Sequence, residues 1–395
     1  MVNERFYGFG SQGSAIRELF EFGKQRAKVV GPENVFDFSI GNPSEPAPPE
    51  VNEAIIDIIK NVDSVQVHGY TSASGNDSTK KAIADDLNDR YGCDLGPENL
   101  FMTVGAAAAL ISPLAALTID ENTEFVAIAP FFPEYNVFAG VQGAKLVVVD
   151  ADIPDFQIDF EKLEAALNNN TQAVIINSPN NPSGVIYSRE TLEKLAALLK
   201  KKSDEFGHPI YIISDEPYRE LVYDGSEVPY VPDIYNNTII GYSYSKSLSL
   251  PGERIGYVCV PSCVDDWKTV YAAIAGAARG LGYVCAPALF QLVVERVVKS
   301  RPNLKVYARN RDLLMKGLKE AGYEMADPAG AFYLFVKAPN GNSKEFSEIG
   351  KKHDVLLVPG DSFGCPEYFR LCYCVSEQTI TGSIPQFKKM IEECK

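Results

Sequence analysis

Thr238-Ile239-Ile240-Gly241-Tyr242-Ser243-Tyr244-Ser245-Lys246 is an apolar run that ends in hydroxyls and a lysine. Its first six residues have the composition of a buried strand. Upstream, Glu124–Ala129, Ala144–Asp150, Ala173–Asn177 and Ile210–Ser214 read the same way, and Leu192–Lys202, between two of them, is apolar at helical spacing. Strands that are apolar on both faces and alternate with helices predict an α/β fold: a mostly parallel sheet covered by helices on both sides. Ligands of such sheets collect beyond the carboxyl ends of the strands. Asn181, Asp215 and Lys246 each follow a strand candidate, so they are expected in one site despite their separation along the chain.

After Pro287 the pattern changes. One long helical stretch is expected to about Gly322, then strands at Ala331–Lys337, Val355–Val358 and Tyr368–Val375, and a closing helix near Ile384–Glu393. This predicts a smaller α+β unit over residues 286–395, joined by an N-terminal segment over 1–45. The large unit spans 46–285, and the Pro-rich stretch 42–49 carries the chain into it.

At 395 residues with 46% apolar and 23% charged residues, the chain has the composition of a folded protein of more than one core. Its net charge of −15 argues against a nucleic-acid surface, and an acidic protein handling acidic substrates must concentrate single arginines such as Arg370 and Arg279. The longest near-apolar stretch, Gly105–Ile119, is interrupted by Ser112 and Pro113 and is too short for a bilayer. With no basic-then-apolar leader after Met1, a cytoplasmic protein with no membrane partner is expected. The eight cysteines are expected to be reduced. Cys259/Cys263 and Cys372/Cys374 lack the four clustered ligands of a zinc site, so no metal is expected.

Lys246 is the candidate imine former, which needs a desolvated or cationic neighbourhood to act as nucleophile or base. In Ser214-Asp215-Glu216-Pro217-Tyr218 a carboxylate follows a strand and a phenol comes three residues later. Asp215 reads either as a cap or as an anion facing a ring nitrogen, and Tyr218 as a donor to a phenolic oxygen. Asn177-Ser178-Pro179-Asn180-Asn181-Pro182-Ser183-Gly184 is a turn whose Asn181 amide has the reach of the same oxygen. Gly105 leads through Ala106 and Ala107 into a helix whose first N–H groups suit a phosphate, though small residues also suit close packing on the sheet. Ser243 and the Arg254 guanidinium complete the cup. Phe132 is either core or a ring stacked on the cofactor. Arg370 lies in an apolar strand and must have an anionic partner, structural or a substrate carboxylate; bidentate recognition favours the substrate. Pyridoxal phosphate is the cofactor that needs these groups together.

The strings Ser243-Tyr244-Ser245-Lys246 with Gly252-Glu253-Arg254-Ile255-Gly256, Asn181-Pro182-Ser183-Gly184, Asp215 with Tyr218, and Arg370 in its strand resemble class I/II aminotransferases. These are fold-type I pyridoxal-phosphate enzymes that include aspartate aminotransferases, and the matching segments run from Gly41 to Arg370. The resemblance implies an aldimine at Lys246, which also shuttles the proton, and Asp215 on the pyridinium. Asn181 and Tyr218 would hold the ring oxygen. Arg254, Ser243 and the backbone of Ala106 and Ala107 would bind phosphate, Arg370 the α-carboxylate, and Gly41 would approach that carboxylate by its backbone. It further implies a homodimer with shared sites, in which Tyr70 reaches the neighbour's phosphate and Arg279 lies near the place of a distal-carboxylate arginine. Ala107 and Phe132 depart from the pattern, standing where Ser or Thr and tryptophan are common. Transamination of an aspartate-type donor to a 2-oxo acid is therefore expected. A cysteine-S-conjugate β-lyase on the same fold, or a non-catalytic cofactor-binding protein, are the alternatives. None of the three histidines has a nucleophile-base or metal-ligand arrangement.

Overall fold

Seven strands form the central sheet of the computed structural model, which describes residues 1–11 and 15–394. They are β1 Leu100–Thr103, β2 Glu124–Ile128, β3 Lys145–Val149, β4 Thr171–Asn177, β5 Tyr211–Asp215, β6 Thr238–Ser243 and β7 Gly256–Cys259. Their order across the sheet is β1-β7-β6-β5-β4-β2-β3. All neighbours are parallel except β7, which runs antiparallel to both β6 and β1. The five strands expected in the middle of the chain form within one or two residues of their expected ends. The reversal at β7 was not expected. Only residues 244–255 join it to β6, too little chain for a helical crossover, so the strand returns alongside in the opposite sense.

Each residue of β1, β5, β6 and β7 is buried, which is why these strands lack the alternation of a one-sided sheet. On one face Ala109, Leu110 and Leu114 of the helix Ala106–Leu117 and Ile274 and Ala278 of Trp267–Gly280 cover Phe125, Ala127, Ile213, Ile239 and Val258. On the other, the helix Arg189–Phe206 lays Leu192, Leu195 and Leu199 against Val126, Val174 and Ile212. Burial of each such leucine stabilises the layer by roughly 1.5–3 kcal/mol. Ser188 caps this helix at Thr191 N, and Gly207 ends it in the left-handed conformation at φ 78°.

The C-terminal unit is a three-stranded antiparallel sheet of Val358–Pro359, Tyr368–Cys372 and Tyr333–Lys337, covered by the helices Leu304–Ala321, Ser343–Lys352 and Glu377–Glu392. The strand expected over 355–358 divides: Val355–Leu356 leaves this sheet to pair in parallel with Phe36–Asp37. The single helix expected from Pro287 is two, Ala288–Val297 and Leu304–Ala321. Pro302 lies between them and disfavours helix at the residue before it. Val293, Val294 and Val297 of the first of the two pack on Val51, Ile58, Ile83 and Leu87, from helices beside β1 and β7. We propose that 1–45 belongs with the small unit, as the Phe36–Asp37 pairing favours, and that packing favours a boundary near Pro302 over one at 285. No helix among the described residues is long and apolar enough to cross a membrane.

Candidate active site

Because β4, β5 and β6 run parallel, their carboxyl ends share one edge. Asn177 pairs with Asp215, Asp215 pairs with Gly241, and β6 ends two residues further at Ser243. The chain then makes one helical turn, Tyr244–Ser247, capped by the Ser243 hydroxyl, and this turn carries Lys246. On the far side of β7, β1 stops at Thr103, and Gly105 opens the helix Ala106–Leu117 with φ 82°. A Cβ at Gly105 would lie 2.8 Å from the Arg254 guanidinium, so glycine is what lets the two approach.

A cavity of about 300 Å³ opens at this edge. Gly41, Ala106, Ala107, Phe132, Asn181, Asp215, Tyr218, Ser243, Lys246, Arg254 and Arg370 all line it. Gly105 stands just behind, against Arg254. Two expected residues stay outside this chain's cavity. Tyr70 is fully exposed, and Arg279 is exposed at the end of the helix Trp267–Gly280.

Lys246 is half-buried, and its Nζ donates to the Gly41 carbonyl at 2.6 Å. Burial pushes its ammonium below the ordinary lysine value; the thiols of Cys374 and Cys372 oppose this, while Arg370 and Arg254 add to it. The neutral amine, the form able to attack a carbonyl or take a proton, is thereby favoured.

Asp215 caps no helix. Its Oδ2 accepts from the Tyr135 hydroxyl at 2.6 Å, and its buried Oδ1 has no partner among the described residues. Burial lifts its pKa to about 7, against the lowering effect of the Tyr135 hydrogen bond. Asn177 Nδ2 donates to the Asp215 carbonyl at 2.8 Å, and Asn181 N donates to Asn177 Oδ1 at 2.7 Å, so one amide fixes the ends of two segments.

Arg370 is 2% exposed. Its Nη1 donates to Asn181 Oδ1 at 3.0 Å and its Nη2 to the Ser39 carbonyl at 2.6 Å, while Nε has no partner among the described residues. The guanidinium sits 4.8 Å from the Tyr333 ring centre and 5.2 Å from that of Phe363. Among the described residues no carboxylate forms an ion pair with it. A structural acidic partner, one of the two possibilities read from the sequence, is therefore not found there.

Ala106 and Ala107, whose N–H groups at the helix start lack an intrahelical acceptor, line the cavity with Ser243 and Arg254. Arg254 is exposed and holds φ at 54°, a left-handed conformation that costs a non-glycine residue about 1–3 kcal/mol and concentrates at functional sites. The sequence reading missed Tyr135, Tyr333 and Ser245, and also Ile16, Leu110 and Phe138, which add apolar wall. Ser245 was visible inside the Ser243–Lys246 string. Nothing local to the others ties them to the site.

Residues 33–384 match the family described as aminotransferase class I and II. A crystal structure of an amino transferase from Eubacterium rectale is 55% identical, covers 100% of this chain and 99% of its own, and superposes with a TM-score of 0.98. An aspartate aminotransferase of Thermotoga maritima is 29% identical over 93% of this chain and 94% of its own length. An aromatic-amino-acid aminotransferase of Thermococcus litoralis is 28% identical over 97% and 96%. The fold, the lysine-bearing turn at the carboxyl edge of the sheet and these matches agree: the chain belongs to the class I and II aminotransferases, a pyridoxal-phosphate-dependent family, and is a transaminase.

Proposed function

We propose that this chain holds pyridoxal 5'-phosphate in the cavity lined by Phe132 and moves an amino group from an aspartate-type donor to a 2-oxo acid through Lys246. The observation that carries the reading is a pair of buried polar atoms without partners among the described residues, Asp215 Oδ1 and Arg370 Nε, in the cavity that also holds Lys246. A pyridinium N–H would satisfy the first and a substrate carboxylate the fork of the second. When bound, the cofactor supplies the electron sink that acidifies a substrate Cα–H.

The residues of the chain do the rest. Arg254, the Ser243 hydroxyl and the N–H groups of Ala106 and Ala107 bind the phosphate. Tyr135 holds one oxygen of Asp215 and so aims the other; a cation opposite it offsets the burial cost that raises the carboxyl pKa. Asn181 Oδ1 is taken by Arg370, leaving its Nδ2, with the Tyr218 hydroxyl, to donate to the ring oxygen. Arg370 orients the α-carboxylate, with the Gly41 backbone beside it. Lys246 Nζ takes up and returns the proton that moves, a role suited to an amine whose pKa burial has lowered.

Relatives named for aspartate and for aromatic amino acids support both donor types. The wall of Ile16, Leu110 and Phe138 favours an aromatic donor as the second. We read the enzyme as a homodimer, with Tyr70 on the neighbour's phosphate and Arg279 offered to the distal carboxylate of a dicarboxylate. Eight free thiols suit a reducing cytoplasm. The test is the absorbance spectrum of the cofactor-loaded protein before and after aspartate or phenylalanine. Loss of the visible band with growth of a near-ultraviolet pyridoxamine band, absent in Lys246→Ala, is the expected result. Ammonia and pyruvate from β-chloroalanine without any such conversion would replace transamination by β-elimination.

A further inference from the structure

The Tyr333 hydroxyl lies 2.8 Å from that of Tyr218, and the two rings meet edge to face at 84°. Both side chains are buried, and burial holds both phenols well above their ordinary pKa, so each keeps its proton. Two phenols with two protons share one hydrogen bond, which leaves one proton to give elsewhere. If Tyr218 gave its proton to Tyr333, the Tyr333 proton would need an acceptor of its own. Gly41 stands against the Tyr333 oxygen, where a Cβ would overlap it, and among the described residues the Tyr333 hydroxyl has no hydrogen-bond partner but Tyr218. Tyr218 lines the cavity with Asp215 and Asn181, as Tyr333 does, and in the reading given above the acceptor of its proton is the ring oxygen. The Tyr333 ring also lies 4.8 Å from the Arg370 guanidinium, so one side chain touches three parts of the site.

We propose that Tyr333 is a positioning residue: its hydroxyl donates to the Tyr218 oxygen, which fixes Tyr218 and turns the Tyr218 proton toward the ring oxygen of the cofactor. The inference rests on the reading of Tyr218 given above. Its physical consequence is a chain of two hydrogen bonds in which the outer donor polarises the inner one. A stronger donor at the ring oxygen stabilises negative charge there, and so favours the deprotonated form of the bound chromophore.

The test is a pH titration of the visible absorbance of the cofactor-loaded protein without substrate, for the native chain, Tyr218→Phe, Tyr333→Phe and the double variant. Tyr333→Phe keeps the ring over Arg370 and removes only the hydroxyl. The expected result is an upward shift of the titration midpoint in both single variants, smaller for Tyr333→Phe and on the order of half a unit, since a polarised hydrogen bond changes by a fraction of its strength. In the Tyr218→Phe background, Tyr333→Phe should add nothing. The KM for the donor should stay within twofold in Tyr333→Phe, because the carboxylate clamp is intact. A shift in Tyr218→Phe with none in Tyr333→Phe overturns the relay and leaves the role of Tyr218 standing. No shift in either overturns the reading of Tyr218 itself. Equal, additive shifts in the double variant overturn the relay in favour of two independent contacts.

Discussion

Arg370 offers the sharpest quantitative test of the site. Its guanidinium is buried, hydrogen-bonded to Asn181 Oδ1 and the Ser39 carbonyl, and flanked by two aromatic rings, with no carboxylate in ion-pair range among the described residues. Arg370→Lys keeps the charge but cannot hold both acceptors and still present a fork to a carboxylate. The loss is one charge-assisted hydrogen bond, about 1.5–3 kcal/mol, or roughly ten- to 150-fold in kcat/KM. Arg370→Met removes the whole clamp, and about twice that energy multiplies the loss to roughly 10²–10⁴-fold. Stability should behave differently. Methionine leaves the Ser39 and Asn181 oxygens unpaired, at about 1–3 kcal/mol each, and relieves a desolvated cation that costs several kcal/mol. The two nearly cancel. Single-turnover amino transfer from aspartate, with chemical denaturation of the same cofactor-loaded proteins, separates the outcomes. A change in kcat/KM below threefold in Arg370→Lys, or a destabilisation above about 4 kcal/mol in Arg370→Met, would refute a substrate-binding arginine in favour of a structural one.

Asp215→Asn in the cofactor-free protein tests the burial cost directly. Because the folded carboxyl titrates near 7 against 3.8 in the ordinary state, the native protein loses stability as pH rises from about 4 to about 7. Denaturation should therefore show the variant more stable by a few kcal/mol at pH 8, and by nothing below about pH 4. Tyr135→Phe removes the bond that holds that carboxyl down, so its pKa should rise further; equilibrium dialysis should show cofactor retention weakened several-fold more at pH 6 than at pH 8. Tyr70→Phe should weaken cofactor retention several-fold without changing the fold, and equal retention in the variant would remove Tyr70 from the neighbouring site.

The central strands were legible because strands buried on both faces must be mostly apolar, as β2, β4, β5 and β6 are, whereas β3 at the sheet edge is apolar after Lys145 yet only partly buried. The helix break near Pro302 was written in the chain, yet apolar spacing on both sides concealed it. The site divided in the same way. Ser243, Lys246 and Arg254 lie close together in the run 243–254, and Asp215 and Tyr218 in 215–218, so chemistry and spacing could be read together. Tyr135 meets Asp215 across 80 residues, Tyr333 meets Tyr218 across 115, and the Ser39 carbonyl meets Arg370 across 331.

The order of residues along the chain fixed which groups carry charge, which can form an imine, and which strands are buried, because those properties belong to single residues and short runs. Folding alone settled which oxygen of Asp215 is held, that Arg370 has no acidic neighbour among the described residues, and that a second tyrosine hydroxyl meets the first. These are contacts between segments brought together by helix-on-sheet packing. Burial there strips water from each polar group, and its remaining partners then set its charge and aim.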